Sequence, residues 1–148
     1  MNNVANEKTT KLIISTPKGI FYENHVYLVS LKTSQGYIGL QVNHMPFISN
    51  IEISSLYIYE QPLNRQNNEA VKKAAIGGGL VFAEKDYIDI FTDDIEWASE
   101  IVKSDVEKQI ELAHQQLEEA HRIQDRTAQH KNELMLKKAI NKLSTLNK

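Results

Sequence analysis

Apolar positions fall in short alternating or continuous runs up to about position 95 and thereafter recur every three or four residues, so two kinds of structure follow one another along the chain. In the first part, Leu12-Ile13-Ile14, Val26 to Leu31, Leu56 to Tyr59 and Tyr87 to Phe91 are short and rich in β-branched and aromatic side chains, as strands require. Turn chemistry separates them at Thr16-Pro17-Lys18-Gly19 and at Ser34-Gln35-Gly36. Many short strands at this spacing predict a β-sandwich. The stretch from Gln61 to Ala70 is polar and carries Pro62, which predicts a variable surface loop without chemistry.

From Ser104 to Lys148 there is neither glycine nor proline, and the period is helical. Ser104-Asp105-Val106-Glu107 has the form of a capping box, which predicts a helix start within two residues of Ser104. Val106, Ile110, Ala113, Leu117 and Ala120 then make a narrow, partly alanine seam that a second helix can approach closely. Leu136, Ala139, Ile140, Leu143 and Leu146 supply the matching stripe, and the polar segment Asp125 to Asn132 offers the place to turn. The expected fold is an all-β sandwich over residues 10–98 followed by an α-helical hairpin over 99–148, an α+β chain with its two classes segregated. With no glycine or proline to fix the bend, the connecting segment is itself able to become helix, so a static hairpin and a mobile one both remain open.

Bulk composition narrows the function more than it identifies it. The 148 residues are 41% hydrophobic and 24% charged, which is globular, and no stretch approaches the roughly 18 apolar residues of a membrane span. Met1 to Lys8 has no apolar core of a leader peptide, and the absence of cysteine fits a reducing, cytoplasmic setting. A formal charge of −2 gives no electrostatic argument for nucleic acid or for an anionic membrane.

Individual residues argue against chemistry. The triplet Gly77-Gly78-Gly79 lacks the following helix and Lys-Ser or Lys-Thr pair of a phosphate cradle, and reads as close backbone packing or a bulge. His44 has no Ser or Cys nucleophile motif beside it; a small sandwich enzyme using His44 with an acid such as Asp93 is the catalytic rival. His114 and His121 are seven apart, whereas metal pairs on a helix prefer three or four, and His130 joins them on a solvated face. Asp93-Asp94 and Glu118-Glu119 lack apolar surroundings and read as a turn and an exposed helix face. Trp97, the single tryptophan, is expected to pack where the sandwich meets the hairpin. No catalytic, metal or cofactor residue is nominated.

Three ordered motifs carry a family resemblance over about Leu12 to Leu146. The run TSQGYIGLQVNHMPFI, Thr33 to Ile48, resembles the Gly-x-x-Gly-(three residues)-Gly-His-x-Pro loop of the epsilon-subunit family of F-type ATP synthases, through Gly36, Gly39, His44 and Pro46. Asn43 replaces the usual glycine, a mild departure because Asn tolerates positive φ. Ile76 to Ala98 resembles the family's Gly-Gly strand, the next hairpin and the last strand, and Leu12 to Phe21 resembles its opening Thr-Pro-x-Gly pattern. The resemblance implies a non-catalytic central-stalk subunit that couples proton-driven rotation to ATP synthesis. Its sandwich would dock on the gamma subunit and the c-ring, and its hairpin would reach the α/β catalytic hexamer and restrain ATP hydrolysis. Such a protein sits peripherally at the cytoplasmic face of the cell membrane, through its complex.

Within that resemblance, Gly39, Asn43, His44, Met45, Pro46 and Phe47 are the expected c-ring or gamma contact, while Gly36 and the glycine triplet are structural turns. Many family members bind ATP on the folded hairpin through Ile/Leu-Asp-x-x-Arg-Ala. Here the matching stretch Ile101 to Val106 has Val102 for the aspartate and Asp105 for the arginine, Leu112 falls where an arginine can stand, and Lys138 and Lys142 replace others. Lysine cannot reproduce a bidentate guanidinium contact and a carboxylate repels phosphate, so no nucleotide site is expected. A free-standing adaptor, or a subunit of a specialised rotary ATPase, are the other readings.

Overall fold

The computed structural model describes residues 8–62 and 71–147; most of the expected surface loop from Gln61 to Ala70 lies outside them. The chain divides into two compact units, one ending at Trp97 and one beginning at Ala98. The first contains β1 (Thr10–Thr16), β2 (Gly19–Val26), β3 (Leu28–Thr33), β4 (Gly36–Leu40), β5 (Phe47–Tyr59), β6 (Val71–Ala83), β7 (Tyr87–Phe91) and β8 (Ile95–Trp97). The second has a short 3₁₀ turn at Ala98–Glu100, then α1 (Lys103–Arg122) and α2 (Arg126–Leu146).

All eight strands join one hydrogen-bonded network in the order β2-β1-β7-β6-β5-β3-β4, with β8 also on β6. The register shows how this network folds over. The late half of β6 pairs with β7 (Leu80 opposite Phe91) and the early half with β8 (Ala74 opposite Trp97). β5 follows the same division, because its late half alone pairs with β3 (Ser30 opposite Tyr57). One layer is therefore β2-β1-β7 with the late half of β6 and the early half of β5; the other is β8 with the early half of β6, the late half of β5, β3 and β4. β1 and β7 are parallel neighbours and the other pairs are antiparallel.

Side chains alternate faces along a strand, so a strand serving two layers must break its parity at the corner. Burial in β6 runs Ala74, Ile76, then Val81, Ala83, and in β5 it runs Ile51, then Leu56, Ile58. The slip falls at Gly77 to Gly79, where Gly78 has φ 87°. A Cβ on Gly79 would collide with the carbonyl oxygen of Phe91, and one on Gly77 would sit 2.6 Å from a carboxylate oxygen of Asp94. The corner is sewn shut by Gly77 N–H donating to Asp94 O at 2.7 Å and by Thr92 Oγ1 donating to Gly78 O at 2.6 Å. Leu12, Ile14, Val29, Leu31, Leu56, Ile58, Ile76, Val81, Ile88 and Ile90 fill the space between the layers as one cluster, all fully buried.

The β1–β2 and β3–β4 turns are built alike. Thr16 Oγ1 donates to Gly19 O at 2.9 Å and accepts from Lys18 N–H, and Thr33 Oγ1 donates to Gly36 O at 3.1 Å and accepts from Gln35 N–H. Each is a Thr-x-x-Gly whose hydroxyl completes the backbone of the turn.

In the hairpin, Val106, Ala113 and Ala120 of α1 and Asn132, Ala139 and Thr145 of α2 are buried. Three sequence expectations need correction here. The capping box does not form: α1 starts at Lys103, its N-cap is Val102 without a side-chain cap, and Val106 N–H closes the first turn onto Val102 O. Ile140 is about half exposed, and the buried row of α2 passes instead through Asn132 and Thr145. The turn occupies only Ile123 to Asp125, so most of the polar segment is already helix. No helix of the described residues is long and apolar enough to cross a membrane.

Candidate interaction surfaces

The loop from Gly39 to Phe47 leaves the buried end of β4 at Leu40 and enters β5. Asn43 holds φ 64°, the conformation for which Asn is the readiest substitute for glycine, and its N–H donates to Lys85 O at 2.8 Å. This pins the loop beside the β6–β7 turn. His44 Nδ1 lies 3.1 Å from Met45 O, Phe47 packs on the core, and Met45 is 84% exposed. Gly39 faces Leu28 Cδ1, which a Cβ would approach to 3.1 Å. The loop thus presents an apolar tip on a fixed backbone.

Beyond the loop, outward positions that an ordinary antiparallel layer gives to polar residues are apolar. Ile48 on β5, Leu80 and Phe82 on β6 and Phe91 on β7 are exposed by 70%, 42%, 37% and 46%. The register sets Ile48 opposite Phe82 and Leu80 opposite Phe91, and the two phenylalanine rings meet edge to face at 5.8 Å. Their neighbours Val81, Ala83, Ile88 and Ile90 point into the core, so the late half of β6 is apolar on both faces, with Asn50 opposite Leu80 and Asp89 opposite Phe82 at the margin of the outer patch. A contiguous exposed patch of this kind marks an interaction surface. Sequence reasoning passed over these four residues, although Leu80 to Ala83 and Ile88 to Phe91 show a break in alternation that signals burial on both sides.

The catalytic rival finds no geometry. His44 belongs to the end of the sandwich marked by Lys85, whereas Asp93 lies past the opposite end of β7, beside the Thr16 to Phe21 turn. β7 and its flanks, at about 3.3 Å per residue, hold them on the order of 20 Å apart. Among the described residues no group of three or more His, Asp or Glu is arranged to hold a metal.

Trp97 stacks on Phe21 with ring centroids 4.7 Å apart and meets Tyr22 edge-on at 5.6 Å. The ammonium of Lys72 lies 5.4 Å from the Tyr22 ring and 5.8 Å from the Trp97 ring, and 3.0 Å from a Glu60 carboxylate oxygen. Tyr22 donates its hydroxyl proton to Glu60 at 2.6 Å. Burial first, then the bond to Glu60, pushes the Tyr22 phenol above its ordinary range. The same bond, helped by Lys72, holds the Glu60 carboxyl below its own. This cluster clamps β2, β5, β6 and β8 at one edge of the sandwich.

In the hairpin, the positions that resemble the nucleotide motif are occupied by exposed Val102 and Asp105.

The family described as the ATP synthase Delta/Epsilon chain β-sandwich domain matches residues 9–98. An ATP synthase epsilon chain of Mycoplasma mobile is 36% identical over 93% of this chain and 93% of its own length. That of Mycoplasmopsis pulmonis is 38% identical over 90% of this chain and 89% of its own. Among solved structures, a chain in the Euglena gracilis mitochondrial ATP synthase (OSCP/F1/c-ring, rotational state 1) superposes with a TM-score of 0.74 over 94% of this chain and 82% of its own, at 15% identity. That last likeness speaks for the fold, and the sequence relatives speak for kinship. The chain belongs to the ATP synthase epsilon-chain family.

Proposed function

We propose that the chain serves as a non-catalytic central-stalk subunit of a rotary F-type ATP synthase and couples proton-driven rotation to ATP synthesis by holding the stalk together. The observation that carries the docking role is the apolar outer face of Ile48, Leu80, Phe82 and Phe91. Such a face suits the gamma subunit, because a stable interface needs a desolvated apolar centre. The Gly39 to Phe47 loop, with Met45 at its tip, is the contact for the c-ring or gamma. Residues 10–98 form the docking part, with Gly36 and Gly77 to Gly79 as its structural turns and Trp97 at the junction with the regulatory part, 99–148. The helices restrain ATP hydrolysis at the α/β hexamer by moving from the bent form toward a straightened one. The chain binds no nucleotide, because Val102 and Asp105 replace the charges that such a site needs. Its place is peripheral, at the cytoplasmic face of the cell membrane, through the complex.

Co-purification with α, β and gamma subunits tests this reading. The intact chain is expected to be retained, and Phe82→Asp to lose at least about tenfold in affinity for gamma, as a central apolar contact does. Retention unaffected by Phe82→Asp overturns the docking face, and no retention of the intact chain overturns the stalk role.

A further inference from the structure

The turn between the helices has the hydrogen bonds of a Schellman motif without its glycine. Asp125 N–H donates to Ala120 O at 3.0 Å and Gln124 N–H to His121 O at 3.2 Å, while Gln124 holds φ 58°. Glycine is the usual occupant of this position, since an L side chain there meets the following carbonyl. Two side chains offset the strain. Asp125 Oδ1 accepts from Ala128 N–H at 3.1 Å and so caps α2, and Gln129 Nε2 donates across the turn to Ala120 O at 3.2 Å.

Resting on the reading that the hairpin straightens, we propose that Gln124, Asp125 and Gln129 form a latch that exists only in the bent hairpin and sets the ratio of bent to straight chain. In a continuous helix Ala120 O takes the amide of Gln124 and Ala128 N–H is given to Gln124 O, so the cap and both turn bonds vanish. Gln129 then lies about 13 Å farther along the axis than Ala120, beyond reach of its carbonyl. Against these bent-only bonds stand the left-handed Gln124, relieved on straightening, and a segment free of glycine and proline that readily continues as helix. The two sides act on the same few residues, which makes the bend a point of balance and distinguishes it from Asn132, whose bond to Ala128 O at 2.8 Å is within one helix and survives straightening.

The chain has no native cysteine, so spin labels at Lys108→Cys and Ser144→Cys read the ratio in the full-length protein. Bent helices lie about 10 Å apart at their axes, and a straight helix separates the labelled positions by about 54 Å. Gln124→Gly is expected to raise the bent-to-straight ratio about tenfold, by removing strain from the bend and helix propensity from the straight form. Gln129→Ala is expected to lower it roughly three- to tenfold, the worth of one hydrogen bond. Gln116→Ala, on the exposed face of α1, leaves it unchanged. A long-distance population that ignores both turn variants overturns the latch while straightening stands. If every variant gives only the short distance, straightening fails, and amide exchange at Asp125 decides the latch. Several-fold faster exchange in Gln129→Ala and slower exchange in Gln124→Gly support it, and unchanged rates overturn it.

Discussion

Both units turn the chain sharply, the sandwich through three consecutive glycines and the hairpin through a left-handed glutamine, and the contrast separates a bend that must be permanent from one that need not be. At the sandwich corner a Cβ on Gly79 is excluded by the Phe91 carbonyl, and the backbone has one way to pass. At the hairpin an L residue is tolerated at φ 58° by the bonds around it, and on the proposed straightening it has a helical path as the alternative. The packing follows suit. Bulky Leu, Ile and Val fill the sandwich to zero exposure, whereas alanines dominate the apolar side chains buried along the helical seam.

Gly79→Ala gives the sharpest break in this contrast. It is expected to destabilise the sandwich by more than about 3 kcal/mol, lowering its melting temperature by roughly 15 °C or leaving it insoluble, because the obstacle is backbone. A melting curve like that of the unmodified protein refutes the corner. Next is Ala113→Leu, which overpacks the narrow seam and is expected to cost the hairpin about 2 kcal/mol in helical thermal melts while near-ultraviolet signals of the sandwich stay put. An unchanged hairpin melt contradicts the narrow alanine seam.

Smaller still is Tyr22→Phe, which removes the bond to Glu60 and is expected to cost about 1.5 kcal/mol at neutral pH in urea titrations. The pH dependence has a worked sign. The phenol is raised in the folded chain, so its contribution is whole below the unfolded value of 10.0 and declines as pH rises past it. The Glu60 carboxyl is lowered, so its contribution is whole above 4.5 and declines as pH falls toward its folded value. In Tyr22→Phe the alkaline decline flattens; an unaltered profile removes the clamp from the account. Asp125→Ala is the mildest change, expected to cost the bent hairpin about 1 kcal/mol of capping, visible as a several-fold fall in the bent-to-straight ratio read by the same spin labels; an unchanged ratio removes the cap from the latch.

The sequence made the small turns and the helical seam readable because each is local. A Thr-x-x-Gly closes its own turn, and Val106, Ala113 and Ala120 share a face whatever surrounds them. It hid what depends on distant parts. β5 and β6 each run thirteen residues, yet their parity slips at the corner, so neither reads as one alternating strand. The capping box failed because the helix takes its N-cap two residues earlier, at Val102, whose carbonyl receives the Val106 amide, and Ser104 fell inside the first turn. Asn132 entered the buried row although polar, because its amide is satisfied by Ala128 O. Among site residues, the fixed loop around Asn43 was legible from its motif. The four outward apolar residues were not nominated, since a run apolar on both faces looks like an inner strand until the register shows one face bare.

β6 belongs to both ladders at once, hydrogen-bonded to β8 before the glycines and to β7 after them, with β5 alongside throughout. If the proposed docking face takes up a twisting load on the outer phenylalanines, that load passes into the opposite layer along covalent backbone, with no reliance on friction between greasy side chains. For a body carried round by a rotating shaft, that continuity resists shear, and the two leaves cannot slide past one another without tearing a strand shared by both.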